Sequence, residues 1–388
     1  MFNEIIERRG TNSAKWDNME MLYGVSPDDG LAMWVADTEF RPPEALDKAV
    51  KAALDHGIYG YYVDPVDYPN SIAGWMERRH NWTIDPSHIM TTIGIVNAVS
   101  LALQSYTQPG DGVIIFTPVY HAFARIIKTM DRKLIECELK NDNGRYVYDW
   151  DAYDAQMDGS AKIVILCSPH NPGGRVWSAE ELRDFAAFCE RHDLLLVSDE
   201  IHHDLAFSGH KHIPTEVACP DSIDRLITMT APSKTFNLGG LHTGNVIIRD
   251  DALRAKYKQT MSALAIGTNT LNMKITEAVY NHGADYADAL VAHLETNAKI
   301  FDDGINAIPG LKSMKLEGTY LSWVDFTDTG MSREEFTDRV QSRAKIAANH
   351  GPTFGTGGES FLRFNIAMPT ATIEEAVSRM GDAFSDLQ

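Results

Sequence analysis

The chain has 388 residues, 44% hydrophobic and 23% charged, the composition of a folded globular protein and not of a disordered one. A formal net charge of −19 argues against nucleic acid or an anionic membrane surface as partner, because both polyanions would be repelled over most of the surface. The cysteines Cys137, Cys167, Cys189 and Cys219 are far apart, with no C-x-x-C pair, no signal peptide before them and no apolar run near the ~18 residues of a membrane span, so a soluble protein in a reduced, cytoplasmic setting is expected.

Residues 1–45 hold no strong periodic element and are expected to pack on a second domain or on a partner subunit. A short strand from Met90 turns at Gly94 into a helix over 95–106. Near-continuous apolar runs rich in Val and Ile follow at 112–117, 162–167, 194–198, 226–229 and 245–248, as strands buried on both faces of a mostly parallel sheet read. Between the second and third of these, Ser178 and Glu181 form a capping box that opens a helix with the apolar stripe Leu182, Phe185, Ala186 and Cys189. After about residue 285 the texture changes to a long helix over 286–308, strands at 320–326 and 361–366, and helices opened by capping boxes at Ser332 and Thr372. The pattern predicts an α/β fold, a mostly parallel central sheet with helices on both faces plus a smaller α+β domain. Residues 46–285 would form the large domain, and 1–45 with 286–388 the small one.

The chemistry-bearing residues stand just past the strands, where open α/β sheets hold their ligands. Lys234, in Ala231-Pro-Ser-Lys-Thr-Phe-Asn237, would be a desolvated amine competent to form an imine. The Ser168–Gly174 loop, with two prolines and two glycines, presents the Asn171 amide. Asp199 is a carboxylate at a buried strand end and needs a cationic partner, either a protein side chain or the protonated ring nitrogen of a cofactor. Tyr120 offers an aromatic face or plain packing, and the free amides at Gly94, Ile95 and Val96 suit a phosphate. Singly, each of these has an ordinary structural reading. Together, Tyr120, Asn171, Asp199 and Lys234 supply what a pyridoxal phosphate site requires.

With these residues in place, the chain resembles fold-type I pyridoxal-phosphate enzymes of the class I/II aminotransferase superfamily, and within it the MalY/PatB branch of cystathionine β-lyases (C–S lyases). The resemblance runs from Trp34-Val-Ala-Asp37 through Gly57-Ile-Tyr-Gly-Tyr61, Asn171-Pro-Gly-Gly174, Ser198-Asp-Glu-Ile-His202 and the Lys234 segment to Arg363-Phe-Asn-Ile-Ala367. It implies an aspartate aminotransferase fold with Lys234 holding the cofactor and shuttling protons, Asp199 pairing with the pyridinium nitrogen, Asn171 and His202 near the phenolic oxygen and Tyr120 stacking on the ring. Ser233 and the Gly94, Ile95 and Val96 amides would hold the phosphate. Tyr61 would reach that phosphate from the neighbouring subunit of a homodimer. Arg363 would grip the substrate α-carboxylate, for which a guanidinium fork is suited, with Asn171, Tyr120 and Asp37 beside it. The implied reaction is α,β-elimination of L-cystathionine or a related cysteine S-conjugate to a thiol (homocysteine), pyruvate and ammonia. Aminotransferases usually carry a tyrosine at His202, a hydroxyl residue at Ala231 and an arginine at His242, so the phosphate cup is expected to differ from theirs.

Transamination on the same scaffold is the alternative. A metallohydrolase built on Asp199, Glu200, His202, His203, His210 and His212 lacks an H-E-x-x-H, and adjacent His202 and His203 would point to opposite faces, so no metal is expected. A regulatory or binding role for the fold stays open. The glycine-rich 351–358 segment lacks the Gly-Lys-Ser/Thr of a P-loop and is expected as a mobile loop before the Arg363 strand. Trp34, Tyr61 and residues 356–359 are expected to line the entrance and set substrate choice.

Overall fold

A computed structural model of the chain describes residues 1–63 and 66–387; Asp64, Pro65 and Gln388, which fall within the expected domain ranges, lie outside the described residues. The apolar runs form a seven-stranded sheet: β1 Ile89–Thr92, β2 Gly112–Thr117, β3 Lys133–Glu138, β4 Ala161–Cys167, β5 Leu195–Asp199, β6 Leu226–Thr230 and β7 Gly244–Ile247. Their order is β1-β7-β6-β5-β4-β2-β3. β7 is antiparallel to both neighbours, and the other pairings from β6 to β3 are parallel. β3 is an addition to the sequence reading, since this edge strand alternates polar and apolar residues and lacks the continuous apolar run of its neighbours.

Successive side chains of the central strands feed opposite cores, which is why both parities had to be apolar. Ile114, Phe116, Val164, Leu166 and Leu196 pack with Leu182, Phe185 and Phe188 of helix Ala179–Arg191. Val113, Ile115, Ile163, Ile165, Val197 and Ile227 pack with Ala98, Val99, Ala102 and Leu103 of helix Ile95–Tyr106. From β2 the chain runs outward to β3 and then returns to β4 on the other side of β2. The crossovers leave in opposite directions and open a crevice at the carboxyl ends of β2 and β4.

A second, antiparallel sheet orders Lys312–Ser313, Leu321–Asp325, Phe361–Asn365 and Asn349–His350. Leu290, Leu294, Phe301 and Ile305 of helix Ala284–Asn306 pack with its Leu321, Val324, Leu362 and Phe364. The N-terminal segment packs on these elements of its own chain: Leu31–Ala32 pairs in parallel with Ile346–Ala347, and Phe2 meets Phe40 and Tyr286 edge-on. Two of the three predicted helix starts form, the first as a full capping box and the second with only its Ser332 half, the Glu335 carboxylate accepting from Arg339 at 3.0 Å instead. Ser178 and Glu181 bond reciprocally, and Ser332 Oγ accepts from the Glu335 amide at 3.2 Å. The third does not: the last long helix, Thr370–Ala383, begins two residues before Thr372, because Pro369, with φ −52°, takes the cap position and its carbonyl accepts from the Thr372 amide at 2.9 Å. The 351–358 segment is likewise no loose loop. A Cβ at Gly351 would fall 1.9 Å from the Gly358 carbonyl oxygen, and the Phe354 carbonyl accepts from the Val119 amide at 2.8 Å. Among the described residues, no helix is long and apolar enough to cross a membrane.

Candidate active site

Four adjacent strands, β2, β4, β5 and β6, end on one crevice, and their carboxyl ends deliver Tyr120, Asn171, Asp199 and Lys234 to a single cavity of about 720 Å³. Gly94, Ile95, Val96, His202, Ser233 and Arg363 line the same cavity. Gly94, at φ +96°, turns β1 into the helix start whose amides face it, a backbone conformation that a side chain would strain. His242 stands beside that turn, its Nδ1 3.9 Å from where a Gly94 Cβ would be, so the histidine found in place of an arginine does border the helix-start end of the cavity.

The electrostatics are those of groups left unsatisfied by the protein. Asp199 is 3% exposed and accepts one hydrogen bond, from the Ile201 amide at 3.1 Å; its other oxygen has no hydrogen-bond partner among the described residues. Burial pushes its carboxyl up to about 7. Burial, followed by repulsion from Arg363, brings the Lys234 amine down to about 8, and its Nζ donates to the Ala36 carbonyl at 2.7 Å. Arg363, 2% exposed, is lowered to about 10 by burial and has no carboxylate. It donates instead to the Asn171 Oδ1 at 3.1 Å, the Asn349 Oδ1 at 2.6 Å and the Trp34 carbonyl at 2.7 Å. His202 is buried, held neutral by desolvation and by the nearby Lys234 and Arg363, and its Nδ1 has no partner among the described residues.

One expected site residue, Asp37, stands elsewhere, and Tyr61, expected at the other subunit's site, is absent from this chain's own cavity. Asp37 is spent on an ion-pair cluster, 2.6 Å from Arg8 and 3.3 Å from Lys15, because fully buried Lys15 needs carboxylates and draws both Asp37 and Glu39. The Trp34–Asp37 segment reaches the site through Trp34, Val35 and Ala36 instead. Tyr61 is fully exposed and does not line this chain's cavity. At the entrance, Trp34 is joined by Thr353 and not by residues 356–359. Residues unseen in sequence include Asn349, which holds Arg363, and His121 and Arg125; a buried arginine signals that acceptors exist but not which strand supplies them. The metallohydrolase set is scattered. Asp199 and His202 face the cavity, Glu200 is tied to His212 at 2.9 Å, and exposed His210 joins neither. His203 lies instead with His80 and Asp204, whose ligand atoms are within 4.8 Å of one another.

Residues 35–380 match the family described as aminotransferase class I and II. The chain belongs to that family. Among its relatives, cystathionine beta-lyase PatB of Bacillus subtilis (strain 168) is 38% identical over 387 residues, covering 99% of this chain and 100% of PatB. Cystalysin from Treponema denticola, whose crystal structure contains pyridoxal 5'-phosphate, superposes with a TM-score of 0.95 at 36% identity, covering 100% of this chain and 99% of cystalysin. The pyridoxal-phosphate-bound C–S lyase from Staphylococcus hominis gives 0.91 at 29% identity, with 99% and 98% covered. Within the family, this chain therefore shares its whole fold with carbon–sulfur lyases.

Proposed function

We propose that the protein is a pyridoxal-phosphate-dependent carbon–sulfur β-lyase that cleaves L-cystathionine or a related cysteine S-conjugate to a thiol, pyruvate and ammonia. The observation that carries this reading is one cavity holding a half-buried amine, a buried carboxylate and a buried guanidinium, each short of an ionic partner. These residues fit the cofactor. The unanswered oxygen of Asp199 suits a protonated ring nitrogen, the amides at Gly94, Ile95 and Val96 with Ser233 suit the phosphate, and Asn171 and His202 suit the phenolic oxygen. Tyr120 supplies the ring face. When bound, pyridoxal phosphate supplies an electron sink for negative charge developing at the substrate Cα.

The chain's own groups do the rest. Arg363, held in place by neutral acceptors on Asn171 and Asn349 and without a carboxylate of its own, binds the α-carboxylate and aligns the Cα–H bond. Lys234, lowered to about 8, has a populated free-base form near neutrality and takes the Cα proton. The Cβ–S bond then breaks, its electron pair leaving on sulfur. Asp199, enclosed at 3% exposure, keeps its partner cation protonated throughout.

The same reading assigns residues 46–285 to a cofactor-binding domain and 1–45 with 286–388 to a smaller one. It also pairs two copies. Leu54, Ile58, Tyr59, Tyr61 and Val63 form an exposed apolar run that a second subunit would cover, bringing Tyr61 to the other subunit's phosphate end. Four free, buried cysteines suit a cytoplasmic setting. Pyruvate and thiol release from L-cystathionine, with no keto-acid acceptor present, tests the activity; amino-group transfer without thiol release overturns it.

A further inference from the structure

The cavity contains one cation more than this chemistry uses. Lys234, Arg363 and Arg125 line it, against the single carboxylate of Asp199. Arg363 has three acceptors and Lys234 has one, whereas the Arg125 guanidinium makes no hydrogen bond or ion pair among the described residues. In a chain with 54 acidic residues, an arginine with no carboxylate partner at a cavity wall is a place prepared for an incoming anion.

Its position tells which anion. Arg125 lies on helix Ala122–Thr129, where Ala122, Phe123, Ile126 and Ile127 take the core side. His121 and Arg125, four residues apart, share the exposed side that borders the cavity. The His121 ring meets Phe354 edge-on at 5.9 Å, and the Arg363 guanidinium lies over the same Phe354 ring at 5.0 Å. Arg125 is thus placed at the carboxylate end of the site and toward the solvent, while the Gly94 and His242 turn forms the phosphate end. The Tyr120 hydroxyl, raised chiefly by burial, feels both guanidiniums.

We propose that Arg125 is a specificity-determining residue that binds a carboxylate on the leaving-group side of the sulfur. Resting on the lyase reading above, this defines the favoured substrates as β-thio amino acids whose departing thiol carries its own carboxylate, with S-alkyl cysteines disfavoured.

The test compares kcat and KM of the holoenzyme and of Arg125→Gln and Arg125→Lys on L-cystathionine and on S-ethyl-L-cysteine. In Arg125→Gln the ratio of kcat/KM for L-cystathionine over S-ethyl-L-cysteine should fall about tenfold, the scale of one lost hydrogen bond to a charged group, and chiefly through KM. Arg125→Lys should recover part of the ratio, and added salt should erode it in the parent enzyme. An unchanged ratio overturns the proposal, as does weakened retention of pyridoxal phosphate in Arg125→Gln, which would place Arg125 on the cofactor. A parent enzyme that releases thiol from neither substrate sinks the lyase reading and this inference with it; one that cleaves both while Arg125→Gln keeps the parent ratio sinks this inference alone.

Discussion

Two buried carboxylates five residues apart in the chain behave in opposite ways. Asp204 accepts from Trp75 Nε1 at 3.1 Å, His80 Nε2 at 2.9 Å and Thr235 Oγ1 at 2.8 Å, and it pairs with His203 at 3.3 Å. These partners hold it well below the usual carboxylate range, and its charge in turn raises the His203 imidazole against the opposing effect of burial. Asp199, just as enclosed, has one backbone amide and is pushed up to about 7. The division runs through adjacent residues: His202 and Lys234 face the cavity, while His203 and Thr235 face the Asp204 hub behind it. Burial alone therefore does not mark function. Burial left unanswered by the protein does, because only a ligand can offset its cost.

The comparison breaks most visibly if a cavity residue proves structural. Lys234→Ala should lower elimination of L-cystathionine by at least about 10³-fold while the melting temperature of the cofactor-free protein stays at or above the cofactor-free parent's, since a destabilised amine is removed. Asp199→Asn should follow the same pattern, with a loss of about 10²-fold or more in kcat; a large drop in melting temperature would assign Asp199 to the scaffold instead. On the hub side, Asp204→Asn should cost about 3–5 kcal/mol in denaturant unfolding, because the buried carboxylate on which Trp75, His80, His203 and Thr235 converge is lost. Thr235→Val, removing one hydrogen bond to the same carboxylate, should cost about 1–2 kcal/mol.

The pH dependence sharpens the contrast in sign. Asp199 rises from 3.8 to about 7 in the folded chain, so the cofactor-free native state binds more protons than the unfolded one between those values and loses stability as pH rises through them. Asp204 is lowered, so its contribution is present above the unfolded value and is lost as pH falls below it. Denaturant midpoints of the cofactor-free protein from pH 4 to 7 should carry the first slope, and Asp199→Asn should flatten it.

Much of this was legible in the chain itself. Unbroken Val- and Ile-rich runs specify strands buried on both faces, and the residue types just past them name the chemistry, so Tyr120, Asn171, Asp199 and Lys234 could be placed at one sheet edge before their geometry was known. The Ser178 cap is equally local, resting on a spacing of three residues. What local signals cannot carry is competition between distant partners. Asp37 reads as a site residue until Arg8 and Lys15 claim its carboxylate, and Thr372 reads as a cap until Pro369 starts the helix earlier. The acceptors around Arg363, and the assembly of Trp75, His80 and Thr235 on Asp204, bring together residues up to 329 positions apart. The sequence by itself determined which groups stand at the strand ends, because that follows from periodicity and residue type. Only the tertiary structure decided which of the buried charges are answered, because that depends on partners whose approach no local pattern encodes.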